Sequence, residues 1–124
     1  MKIGILQFEL RIPGARSLKD KRRVVKSVKD RLHREHMVSV AEVGANEVWN
    51  LALMGLACVS ADGAYLHSVI DRVVAKLCAL PEATLGEFSV EVLDADQLPT
   101  AFTDETGRPL WTEQDRREQP GEAA

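Results

Sequence analysis

Two segments of this chain, residues 2–12 and 47–60, are apolar on both of their alternating faces. In the first, Leu6, Phe8, Leu10 and Ile12 fall on one side of a pleated strand, and Ile3 and Ile5 on the other. The second carries Val48, Trp49, Leu51, Leu53, Met54, Leu56 and Val59. A strand with apolar groups on both faces belongs inside a sheet, with neighbours at each edge. The two segments are therefore expected side by side at the centre of one sheet.

Two other segments alternate as half-exposed edge strands do. Residues 37–43 place Val38 and Val40 against Ser39 and Ala41, and residues 85–93 place Phe88, Val90 and Val92 against Glu87, Ser89 and Glu91. Gly44-Ala45-Asn46 supplies turn chemistry between the second and third strands, which predicts a hairpin. Between the first and second strands the apolar period changes to that of a helix. Pro13-Gly14 breaks the strand, Ser17 and Asp20 stand at capping-box spacing, and Leu18, Val24, Val25, Val28 and Leu32 form a stripe over residues 18–35. Lys21 falls within that stripe near its start and is expected to lay its stem over the core rim with the ammonium in water. A second helix begins at a cap offered by Ser60 or Asp62, carries Leu66, Val69, Ile70, Val73, Val74 and Leu77 on one face, and ends before Pro81.

The order β-α-β-β-α-β, with two inner and two edge strands, predicts an α+β ferredoxin-like sandwich with both helices on one face. Right-handed crossovers then give the spatial strand order 4-1-3-2. The domain is expected to span residues 1–94. From Asp94 onward there are eight acids against three arginines, with Pro99, Gly107, Pro109 and Pro120 and few aliphatic residues. Residues 95–124 are accordingly read as a mobile acidic tail, with Leu110 and Trp111 as the one pair suited to docking.

A chain of 124 residues reaches the size of one domain with its own core. It has no run of 18 apolar residues and no N-terminal signal pattern, so a cytoplasmic protein without membrane contact is expected. Cys58 and Cys78 sit in apolar segments and read as reduced, buried thiols. The net charge of -3 hides an asymmetry. Between Arg11 and His36 there are ten Lys or Arg against three acids, a local balance of +7, so the remainder carries -10.

Functional motifs of this architecture are missing one after another. The third strand lacks the exposed rings on which RNA-recognition motifs stack bases. No Cys-x-x-Cys follows the first strand, which excludes soft-metal transfer of the metallochaperone kind. Residues 14–19, with Arg16, only faintly echo a glycine-rich anion loop at a helix start. His33 and His36 share a helical face without a third ligand, which fits cationic residues at a helix C-terminus better than a metal set. His67 has no nucleophile partner, and Glu9 with Glu42 on the open sheet side reads as a solvated pair as readily as a catalytic one. Neither catalytic residues nor metal or other cofactors are expected.

Pro13-Gly14, Ser17-Leu18-Lys19, Lys21-Arg22, Ser39-Val40-Ala41-Glu42-Val43, Trp49, Gly55 and Val59-Ser60 with Asp62 together resemble the YlxP-like family of uncharacterised small bacterial proteins over residues 1–94. The resemblance implies a ferredoxin-like fold. Because family members are commonly encoded beside translation-initiation and ribosome-assembly factors, it also implies a place near the ribosome, by association and without an assigned activity.

Two readings of function follow. In the first, the chain is a non-catalytic RNA- or ribosome-associated module whose first helix contacts phosphates through Arg16, Lys19, Arg22, Arg23, Lys26 and Lys29, led by charge rather than by base identity. In the second, it is a homo-oligomeric interaction or small-ligand module, and the basic flank serves solubility. The second reading draws on the leftover apolar sheet face, which two helices on one side cannot cover.

Overall fold

A computed structural model describes residues 1–97 together with Thr106 and Arg108. The acidic stretch beyond residue 97, with Leu110 and Trp111, otherwise lies outside the described residues. The elements are β1 (Lys2–Arg11), α1 (Leu18–Glu35), β2 (Ser39–Gly44), β3 (Leu51–Ser60), α2 (Gly63–Cys78) and β4 (Thr84–Asp94), closed by a 3-10 turn at Ala95–Gln97. All strand pairs are antiparallel, in the order β2-β3-β1-β4. This is the ferredoxin-like sandwich that the alternation predicts, with β1 and β3 inside.

Local chemistry accounts for the element ends. Ser17 Oγ accepts from the Asp20 amide at 3.1 Å while Asp20 Oδ2 accepts from the Arg16 amide at 3.0 Å, so two donors at the start of α1 are satisfied reciprocally. Asp62 caps α2 through the Ala64 amide at 2.9 Å, and Ser60 holds the Asp62 amide at 3.1 Å.

The core lies between the sheet and the helices. Leu6, Phe8, Leu10 and Ile12 of the first strand segment, Ala52, Met54, Leu56 and Cys58 of β3, and the inner stripes of both helices are buried together. Gly4 lets α2 come down onto β1: a Cβ there would lie 3.0 Å from Ile70 Cδ1 and 3.1 Å from Cys58 Sγ. Near the end of β1 the β1–β4 register shifts between Phe8 and Leu10. Gly86 occupies the irregularity because Glu9 folds over it, its Oε1 only 2.6 Å from where a Cβ would stand. That carboxylate accepts the Glu87 amide at 3.1 Å. After β4, the 3-10 turn returns to the chain start, where the Ala95 amide donates to the Met1 carbonyl at 2.8 Å.

Four expectations are corrected. Lys21 does not reach water; it is completely buried. Cys58 is buried, but Cys78 is exposed, because it lies one residue past the inner face of α2 set by Leu77. β3 begins at Leu51 rather than Glu47, which leaves Val48 and Trp49 on a six-residue connection, 45–50. Glu9 and Glu42 do not face one another: Glu9 lies over Gly86 beside Arg11, whereas Glu42 pairs with Lys21 of α1.

Candidate nucleic-acid interface

At 100° per residue, Lys19, Arg22, Lys26, Lys29 and His33 follow one another at steps of three and four and form a single row along α1. The row lies opposite Val24, the side that packs toward α2. That orientation follows from contacts: Glu35 pairs with Lys76 of α2, and Val24, Ser27 and Arg31 line a groove with residues 80–83. The basic row therefore runs along the outer flank of the helix, on the side of the edge strand β2. From Lys19 to Lys29 its charged part extends about 15 Å at 1.5 Å per residue, the length of about four nucleotides stacked at 3.4 Å.

The six residues expected to bind phosphate divide on this geometry. Lys19, Arg22, Lys26 and Lys29 stand in the row. Lys29 is partly buried and the other three are exposed. Arg16 is exposed just ahead of the cap. Arg23 leans toward the other shoulder, 3.6 Å from Asp20, and lines a cavity of about 430 Å3 with residues 12–15 and 80–84. Lys26 is held by Asp30 at 2.8 Å. Their hydrogen bond and attraction raise the Lys26 pKa and lower that of Asp30. Among the described residues, Arg16, Lys19, Arg22 and Lys29 form no ion pair.

The anion loop echoed at residues 14–19 is closed by its own chemistry. The Arg16 amide already donates to Asp20 and the Asp20 amide to Ser17, and a carboxylate thus stands where an anion would bind. His33 is exposed at the end of the row, and His36 is half-buried at the helix cap with Nε2 enclosed and without a hydrogen-bond partner. No cluster of three or more His, Cys, Asp or Glu able to hold a metal occurs among the described residues.

Lys21 is not a rim residue but the anchor of the neighbouring loop. Its ammonium donates to the carbonyls of Ala45 at 2.9 Å, Asn46 at 3.3 Å and Leu51 at 3.3 Å, which uses all three N–H bonds. Glu42 Oε2 lies 3.0 Å away, an ion-pair distance without hydrogen-bond angles, so the carboxylate balances the charge and the carbonyls take the directed bonds. The 45–50 connection is thereby fixed against the first turn of α1, where the basic row begins. It carries Trp49 with half of its surface exposed, a residue that the strand pattern had absorbed. The signal available in the sequence was Asn50, a turn-favouring residue that interrupts the apolar run just after Trp49.

The fold and this helix define a small ferredoxin-like sandwich with one cationic flank and an exposed apolar sheet face. The chain belongs to the family described as "Protein of unknown function (DUF503)", which matches residues 3–90. It is 34% identical over 80 residues to the "Uncharacterized protein YlxP" of Bacillus subtilis (strain 168), covering 64% of this chain and 87% of that protein. Among solved structures, the "De novo designed protein Foldit4" aligns with a TM-score of 0.42 at 14% identity, over 74% of this chain and 97% of that one.

Proposed function

We propose that the protein is a non-catalytic RNA- or ribosome-associated module that holds a phosphate backbone along the outer flank of α1. One observation carries the reading: in a chain of net charge -3, a straight row of four cations, Lys19 to Lys29, about 15 Å long includes Lys19, Arg22 and Lys29, which no described acid pairs. Phosphates set at nucleotide spacing suit such a row, and each one neutralised releases counterions. Ribosomes and their RNA place the protein in the cytoplasm. The test is a titration with ribosomal RNA at several salt concentrations. Four contacts give a log–log slope of about -3 for a single strand, at about -0.7 per contact. Changing Arg22 and Lys29 together to Glu is expected to weaken binding and flatten the slope while the melting curve stays in place, since neither side chain is in the core. Salt-independent binding, or unchanged binding by the double variant, removes the reading.

A second reading, self-association through the open face of the sheet, is favoured by a separate observation. Val43 and Val59 are 64% and 61% exposed, and the partly exposed Ile3, Ile5, Leu53 and Leu93 share that face with them. A second copy laid on that face would bury apolar area on both partners. Sedimentation at micromolar concentration that shows a monomer, with Val59→Glu sedimenting identically, decides against it.

A further inference from the structure

Trp49 is one of several large apolar side chains left partly exposed, and it stands on a firmly held loop. Half of its surface is exposed, so much of its apolar area contributes nothing to the core, yet the loop beneath it is fixed at several points. Ala45 adopts φ 59 at the turn, the Val48 amide donates to the Ala45 carbonyl at 2.9 Å, and the Ile12 amide donates to the Asn50 carbonyl at 2.9 Å. Lys21 adds bonds to carbonyls on both sides of Trp49, at Ala45, Asn46 and Leu51. An indole on a loop immobilised in this way loses little conformational freedom when it engages a ligand. The helix that immobilises it carries Lys19 and Arg22 within one turn of Lys21.

Single-stranded nucleic acid is bound where a track of cations and an exposed aromatic serve one site: phosphates follow the charges while a base stacks on the ring. Here Lys21 ties the loop that carries Trp49 to the turn of α1 at which the cations begin. A paired base has no free face to offer, so a duplex gains only the charge. We infer that Trp49 stacks on an unpaired base of RNA whose backbone runs along the Lys19–Lys29 row, and that the site therefore selects single-stranded over duplex RNA. The inference rests on the polyanion reading above and changes its expected selectivity from charge alone to charge plus an unpaired base.

The protein contains two tryptophans, so a Trp111→Phe background makes indole emission report on Trp49. A short oligouridylate is expected to quench that emission and to bind more tightly than an RNA duplex or a polyphosphate with the same number of phosphates. Trp49→Ala is expected to weaken oligouridylate binding by roughly 5- to 150-fold, the range commanded by one base–aromatic stack, with the salt slope unchanged. Trp49→Phe, which keeps a stacking ring, is expected to retain most of the preference; a loss equal to that of Trp49→Ala overturns the stack. If Trp49→Ala fails to fold, quenching in the Trp111→Phe protein still decides. Salt-sensitive binding of all three polyanions with equal affinity and no quenching overturns the stacking inference and leaves the polyanion reading standing. No salt-sensitive binding to any of them overturns both.

Discussion

Replacing Lys21 with Met keeps an unbranched apolar stem but ends it one atom short of the ammonium, removing the charge and its donors. The ammonium is completely buried and holds three carbonyls, while Glu42 at 3.0 Å remains 22% exposed. At an effective dielectric of about 20, the gross attraction at that distance is roughly 5 kcal/mol, a sum that desolvation of the two charges largely offsets. The net effect is thus set by the carbonyls. One bond near 2.9 Å and two near 3.3 Å to a charged donor, less the gain from burying the Met thioether, leave a loss of about 2–4 kcal/mol. Glu42 Oε2 is itself enclosed, so leaving it unpaired pushes the loss toward the upper end of that range. For a domain of this size the melting midpoint falls by about 4–8 °C per kcal/mol, so a drop of roughly 10–30 °C is expected in a calorimetric or circular-dichroism melt. Glu42→Gln keeps the shape and is expected to cost less, about 1 kcal/mol. The double variant should cost less than the sum of the two single variants, because their partner groups are shared. A Lys21→Met protein that melts within a degree or two of the wild type would refute the view that this ammonium organises the 45–50 loop.

Asp94 is pushed down to about 2, first by its hydrogen bond from Lys2 at 2.6 Å and then by the Asp96 amide. A carboxyl lowered by folding contributes stability that is complete above its ordinary value of 3.8 and disappears as the pH falls from there to about 2; Asp94→Asn is expected to flatten acid unfolding in that window, and identical acid titrations of the two proteins would count against it. A thiol reagent applied to the native protein is expected to modify Cys78 and spare Cys58, whose pKa is raised by burial; mass spectrometry of the peptides reads the ratio, and equal labelling would show the α2–sheet packing to be open. Gly86→Ala forces the Glu9 carboxylate off the Glu87 amide and should destabilise by about 1 kcal/mol in urea, whereas an unchanged midpoint would mean that Glu9 relocates without loss.

The β-α-β-β-α-β order, the central places of β1 and β3 and the caps at Ser17 and Asp62 were all legible from periodicity and spacing. The row on α1 was legible as a cationic flank but not as a division. Arg23 and Lys26 sit as near to acids in the sequence as on the helix, yet the helical step decides which pairs meet, as with Lys26 and Asp30 four apart. The side of the helix that faces α2 was not legible at all, because it depends on where α2 lies. The apolar pattern assigns Trp49 to the strand because one strongly apolar residue just before a strand extends the apolar run and hides the turn.

What the sequence by itself determined are the properties that repeat along the chain: the two apolar faces of β1 and β3, the inner stripes of the helices and the excess of +7 between Arg11 and His36. Such periodic features need only neighbours a few residues away to declare themselves. Only the tertiary structure decided that Lys21 is enclosed rather than solvated, that Glu42 serves it, and that the loop carrying Trp49 is tied to the first turn of α1. Each of these joins groups some twenty to thirty residues apart, as the bonds from Lys21 to the carbonyls of Ala45 and Leu51 do. A charge in an apolar stripe tolerates burial only where carbonyls and a counter-charge converge on it, and that convergence exists only once the strand, the loop and the helix have packed.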